Sequence, residues 1–344
     1  MLKKIWLHTV RGYINLGLFF YYKKINAFNL ENIAKNTPVL ILSNHQNALL
    51  DALIIAVKCK RFPYFLTRAS AFKSTFFAGI LSSLRMLPVY RMRDGIRTIK
   101  KNEAVFKTCS QLLFNNEVVV IFPEGNHHLN RTVRPLSKGF TRVVFDTLAT
   151  YPNLELQLVP VGFNYKNLER FVDEVGLYVG TPIDAKDYQV FEKNVAISKL
   201  KETVHESICK LTTHIDNNNY EELLHKLETL HVDFLNPESV NTCILNNFQD
   251  CNVQETQKFS QIKGFFKSLL FLNLWLPFII WKRVIRPKIK EVEFVSTFRF
   301  VVAITLVPVY LLLMTVFLTA YFGLFSAILY MFAVIILALI VVKW

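Results

Sequence analysis

From Phe300 to Val342 the chain runs for 43 residues without one Asp, Glu, Lys or Arg. As a single straight helix this run would be about 65 Å long, roughly twice the 30 Å hydrocarbon core of a bilayer. Two crossings fit that length and one does not. Phe322-Gly323, near the middle, is the natural place for a tight turn between them, with Pro308 tolerated as a kink in the first. Arg299 and Lys343 then finish on one side of the membrane. Lys282, Arg283, Arg286, Lys288 and Lys290 finish there too, and the positive-inside rule makes that side cytoplasmic. The shorter apolar stretch Ser268–Trp281 is too short to span unaided; it reads as an interfacial or re-entrant helix, or as a buried helix of a soluble domain. The expectation is a multi-pass membrane protein with its soluble part on the cytoplasmic face.

Residues 1–35 open with aromatic and aliphatic side chains (Ile5, Trp6, Tyr13, Phe19) among Lys3, Lys4, Arg11, Lys23 and Lys24, which suits an amphipathic helix in the headgroup region or an ordinary helix packed on the core. A net charge of +14 fits an anionic membrane surface or a nucleic acid. The apolar segments and the lack of any nucleic-acid module favour the membrane. Five cysteines without a CxxC pair read as reduced thiols.

Between these ends, Val39–Leu42 and Val118–Phe122 are unbroken apolar runs, the mark of strands buried on both faces. Phe62–Leu66, Leu154–Phe163 and Val175–Val179 add strands, and Pro160 suggests an edge or a bulge in its strand. Helical spacing separates them, so residues 36–218 read as an α/β domain with a largely parallel sheet flanked by helices. Residues 219–262 read as a helix and a polar linker, irregular from Asn236 to Lys258, and 263–344 as the interfacial helix plus two transmembrane helices.

Both buried runs end in polar residues. The first leads into Ser43-Asn44-His45, with Asp51 six positions beyond the histidine. Residues six apart diverge by about 120° on a helix, so the pair can meet only if His45 precedes the helix. A carboxylate on an imidazole fixes its tautomer and stabilises the imidazolium, which equips it as a general base. The bland alternative is a loop histidine followed by a helix-dipole aspartate. The second run ends in Pro123-Glu124-Gly125, and ligands of such sheets gather at the carboxyl ends of strands. Arg91, Arg93, Arg131, Arg134 and Lys138 supply cations suited to phosphate. The pair His127-His128 lacks the companions a metal site needs, so no metal is expected.

Ser43–Asp51, Leu-Pro-Val-Tyr-Arg-Met-Arg-Asp (87–94), Phe-Pro-Glu-Gly (122–125) with Pro-Leu-Ser-Lys-Gly (135–139), and Val-Pro-Val-Gly (159–162) together resemble the glycerolipid acyltransferases typified by 1-acylglycerol-3-phosphate acyltransferase. The resemblance implies His45 as base and Asp51 as its orienting carboxylate. It implies Asn44, Arg91, Arg93, Glu124, Gly125 and Lys138 around the acceptor, and Pro160 near the acyl donor. The partners would be acyl-CoA or acyl-carrier protein, a glycerol phosphate-type lipid acceptor and the bilayer, with no cofactor. The hydroxyl attacks the thioester directly; no GxSxG nucleophile elbow is present. Two departures stand out. Five residues separate His45 from Asp51 where the family has four, a variant similar to some glycerol-3-phosphate acyltransferases, and Asn126 replaces the usual Ser or Thr. Acylation of another lysophospholipid, thioester hydrolysis and non-catalytic lipid binding remain open as alternatives.

Overall fold

The computed structural model describes residues 1–90, 100–249, 251–252 and 260–344. Helix α1 (Leu2–Tyr21) runs straight into strand β1 (Tyr22–Phe28). Then follow β2 (Val39–Ser43), α2 (Ala48–Lys58), β3 (Tyr64–Arg68), α3 (Thr75–Ser83), β4 (Met86–Val89), α4 (Asn102–Phe114) and β5 (Val118–Ile121). Next come α5 (Gly139–Thr150), β6 (Gln157–Tyr165), β7 (Asp173–Val179), the two-residue β8 (Ile183–Asp184) and α6 (Lys193–Leu211). The eight strands form one sheet in the order β1-β7-β6-β2-β5-β3-β4, with β8 also on β6. Pairing is parallel except where β6 meets β7 and β8.

The sheet is covered on both sides, which is why its central strands show no polar alternation. Val39, Ile41, Val118 and Val120 face Leu18, Leu50, Ile54 and Phe300. Leu40, Leu42, Val119 and Ile121 face Phe106, Phe140, Val144, Leu200 and Val204. Each of these strand side chains is buried, and truncating one to alanine costs about 2–5 kcal/mol for the leucines.

Three expectations are corrected here. Pro160 lies on neither an edge nor a bulge: β6 is interior, and Pro160 pairs with Leu42 while its missing N–H falls in the gap between β8, paired at Leu158, and β7, paired at Val161. The stretch after Asn236 is no irregular linker at its start. Helices α7 (Tyr220–Thr229) and α8 (Pro237–Leu245) build a small core of Ile215, Leu227, Val232, Phe234 and Val240. The Asn236 side chain caps α8, accepting from the Ser239 N–H, with Pro237 in the first turn. Finally, Cys243 and Cys251 are joined in a disulfide, while Cys59, Cys109 and Cys209 are free thiols.

Helix α9 (Ser260–Asn273) is followed by α10 (Trp275–Ile279), and the two segments bend by 98°. The bend leaves Lys282, Arg283, Arg286, Lys288 and Lys290 exposed. The last helix, α11 (Val295–Lys343), is broken by Gly323 at φ 81° and ψ 161°, backbone that glycine adopts without strain. A straight 49-residue helix would separate its ends by about 73 Å. Instead Arg299 Nε reaches the Tyr21 hydroxyl at 2.9 Å and Lys343 Nζ the Tyr22 carbonyl at 2.8 Å, so the two arms double back at Gly323. This is the one region among the described residues long and apolar enough to cross a membrane as a single helix, and it supports membrane association.

Candidate active site

Register decides which loops meet. Leu42 is opposite Ile121 of β5, and Ser43 is opposite Val161 of β6, so the chain leaves β2, β5 and β6 at one edge of the sheet. His45 lies in the loop before α2 and Asp51 in its first turn. His45 Nδ1 is 2.8 Å from Asp51 Oδ2. Between them, Ala48 has a φ of 40° where the chain turns into α2.

Asp51 is fully buried, yet its carboxylate is saturated: Oδ2 also accepts from the Gln46 and Asn47 N–H groups at 3.0 and 2.8 Å, and Oδ1 accepts from the Tyr165 hydroxyl. A carboxylate that accepts these bonds also accepts from the imidazole, so Nδ1 carries the imidazole proton. That leaves Nε2 as the basic nitrogen. No group among the described residues binds Nε2, and the ring, 16% exposed, stacks on Phe122 at 4.0 Å. Burial pushes the Tyr165 hydroxyl well above its ordinary range and the Asp51 charge adds to the shift, so it remains a neutral donor.

Glu124 holds the base by its backbone. Oε1 accepts from the His45 N–H at 3.3 Å, and Oε2 receives Arg134 Nε at 3.0 Å with His128 Nε2 at 3.8 Å. Burial raises the Glu124 pKa, and Arg134 and His45 pull it back. Gly125, at φ 71°, closes the turn by donating to the Phe122 carbonyl. Arg134 also donates to the Asn126 carbonyl, and the His128 N–H donates to the His45 carbonyl at 3.3 Å. Burial, then the Arg134 charge, lower the His128 pKa to about 4.

The remaining expected site residues among those described have other partners or surroundings. Asn44 is buried, its amide bridging both backbone groups of Phe163, so it staples the loop to β6 and has no end left for a substrate. Pro160 sits inside β6 and packs beside Gly180. Lys138 is exposed at the start of α5. Arg131 is half-buried, donating to the Tyr165 and Lys166 carbonyls and lying over the Phe234 ring, a structural use that removes it from the phosphate ligands. Arg91 and Arg93 lie outside the described residues. Among those described, no group of three His, Cys, Asp or Glu side chains could hold a metal. Sequence reasoning missed Tyr165, which is 114 residues from its partner, and His127, whose ring meets His45 at 5.6 Å.

Fold and site thus define an α/β domain carrying a histidine–aspartate pair at the carboxyl edge of its sheet. A family model described as Acyltransferase matches residues 24–164. The chain is 24% identical over 148 residues to an uncharacterized acyltransferase of Schizosaccharomyces pombe, covering 40% of this chain and 22% of that protein. It is 25% identical over 126 residues to glycerol-3-phosphate O-acyltransferase 1 of Saccharomyces cerevisiae, covering 35% and 16%. The chain thus spans less than a quarter of the length of these relatives. The crystal structure of the 1-acyl-sn-glycerophosphate acyltransferase PlsC of Thermotoga maritima aligns with a TM-score of 0.44 at 17% identity, over 64% of this chain and 81% of that one. These likenesses are to acyltransferases and select no particular member, donor or acceptor.

Proposed function

We propose that the protein moves an acyl chain from acyl-CoA or acyl-carrier protein to a hydroxyl of 1-acylglycerol 3-phosphate, with His45 as general base. The supporting observation is the Nε2 of His45, left without a partner among the described residues while Asp51 holds Nδ1 at 2.8 Å. Nε2 takes the acceptor's hydroxyl proton as that oxygen attacks the thioester carbon. The tetrahedral adduct collapses, its C–S bond breaks, and the leaving thiolate takes the proton back from Nε2. Asp51 remains ionised throughout and stabilises the imidazolium. Arg91, Arg93 and Lys138 are the proposed phosphate ligands, with Glu124 and Gly125 shaping the pocket.

Glycerol 3-phosphate is the second reading, supported by the five-residue His45–Asp51 spacing and by the name of the Saccharomyces cerevisiae relative. The two arms of α11 are the proposed membrane spans, with the basic cluster Lys282–Lys290 at the cytoplasmic headgroups. Purified protein offered a labelled acyl donor with each acceptor in turn tests the reading. Ester formed on a phosphorylated glycerol is expected. Donor consumed without ester indicates a thioesterase, and neither outcome a lipid-binding protein without chemistry.

A further inference from the structure

The root of the hairpin is wedged against the active site. Val292–Phe294, just before α11, packs on α2, the helix that carries Asp51. Phe294 meets the His127 ring edge-on at 4.6 Å, and His127 meets His45 at 5.6 Å. His45 therefore lies no more than about 10 Å from Phe294. One helical turn on, Phe298 continues the aromatic series at 6.4 Å and is 44% exposed.

The wedge is fixed in place. Ser296 donates to the Leu168 carbonyl and its own carbonyl accepts from Tyr21, Arg299 donates to the Glu169 carbonyl, and Phe300 is fully buried. Arg299, one residue past Phe298, suits the headgroup level, where a guanidinium keeps water and phosphate within reach. Beyond it the large exposed side chains are apolar, among them Val309, Leu312 and Leu313. The His127 Nδ1 is buried and has no partner among the described residues, so a polar group stands ready on the path from Phe294 to the base.

We propose that Phe298, Phe294 and His127 form a portal through which a lysophospholipid seated in the bilayer delivers its head to His45, so that the acceptor class is a membrane-borne lysolipid and not a water-soluble glycerol phosphate. This rests on the transferase reading above and chooses between its two acceptors. The acyl tail stays beside Phe298 in the lipid while the glycerol hydroxyl passes Phe294 and reaches Nε2.

The test uses the full chain in phosphatidylcholine vesicles. Phe294→Ala is expected to raise KM for long-chain lysophosphatidate at least fivefold more than KM for glycerol 3-phosphate. Phe294→Leu, which keeps apolar bulk, should recover most of the loss, and Phe298→Ser should repeat the effect should Phe294→Ala fail to accumulate. Equal effects on both acceptors, no effect on either, or a wild type that uses glycerol 3-phosphate alone would overturn the portal. Binding is read apart from turnover by carbethoxylation of His45, followed by peptide mass spectrometry. Lysophosphatidate in the vesicles should slow that reaction at least threefold in the wild type and far less in Phe294→Ala. No protection in the wild type overturns the portal, whereas protection without any acyl transfer leaves the portal standing and removes the transferase.

Discussion

Asp51 can orient a histidine from the interior because four donors satisfy it, and three of them come from its own loop. The fourth, Tyr165, fixes the carboxylate from across the sheet. Tyr165→Phe leaves the packing and removes that bond, so kcat is expected to fall about 10-fold, in keeping with the loss of one charge-assisted hydrogen bond of about 1.5 kcal/mol. KM for either substrate should move less than twofold. A change confined to KM would place Tyr165 in substrate binding instead. His128 gives a stability prediction. Its pKa falls to about 4 on folding, so between pH 6.5 and 4 the unfolded chain binds the proton the native state refuses, and stability falls as pH drops through that window. Asp173, raised to about 6 chiefly by burial, works the opposite way between pH 4 and 6, because there the native state binds the extra proton. The wild-type curve mixes both, so the informative quantity is its difference from His128→Asn, which should lose less of its thermal midpoint between pH 6.5 and 4.5. His45 and Glu124 stand out in the sequence because each follows closely on a buried strand, and Asp51 because it shares one short, patterned stretch with His45. Tyr165 and His127 were not, because their roles depend on chain segments that only the tertiary fold brings together.

At the level of elements, β6 ties the site to the far helical layer. A Cβ at Gly162 would lie 2.3 Å from the Leu211 carbonyl oxygen, and neighbouring Asn164 bonds that same carbonyl and the Thr213 N–H. Gly162→Ala must therefore push α6 off β6. A loss of about 1–3 kcal/mol in chemical denaturation is expected, with reduced transfer because Asn44 and Tyr165 both depend on β6. The glycine of Val-Pro-Val-Gly thus has a packing reason that the sequence motif alone does not state. Central strands were readable from their unbroken apolar runs. Strand β1 was not, because Lys23 and Lys24 gave it the look of a helix flank; at a sheet edge such lysines guard against unwanted pairing. Helix α8 was missed because its polar surroundings outweighed the Asn-Pro cap that starts it.

At the scale of the whole molecule, the hairpin and the α/β domain form one packed unit. Gly17 of α1 leaves room for Ile304 and Phe300, the Tyr13 hydroxyl donates to the Ile304 carbonyl, and Lys343 returns to Tyr22. The apolar part of the first arm, Val301–Phe322, is about 33 Å long, close to one hydrocarbon thickness. Placing lysines at Leu312, Leu313 and Val316, all exposed, should cost about 2.5–3.5 kcal/mol each on insertion and make the protein extractable by alkaline carbonate. Retention in the bilayer after that change would mean the hairpin is not a span. The charge-free run made the fold-back legible from sequence; the docking of its root on α2 was not, since nothing in the sequence ties Phe294 to His127 across more than 160 residues. The central claim is that the His45 imidazole is the base for acyl transfer. It is tested most directly by the rate of ester formation from a labelled thioester and a phosphorylated glycerol acceptor, comparing wild type with a folded, membrane-bound His45→Ala. The account expects a loss of at least about 1,000-fold; a rate within tenfold of wild type would contradict it.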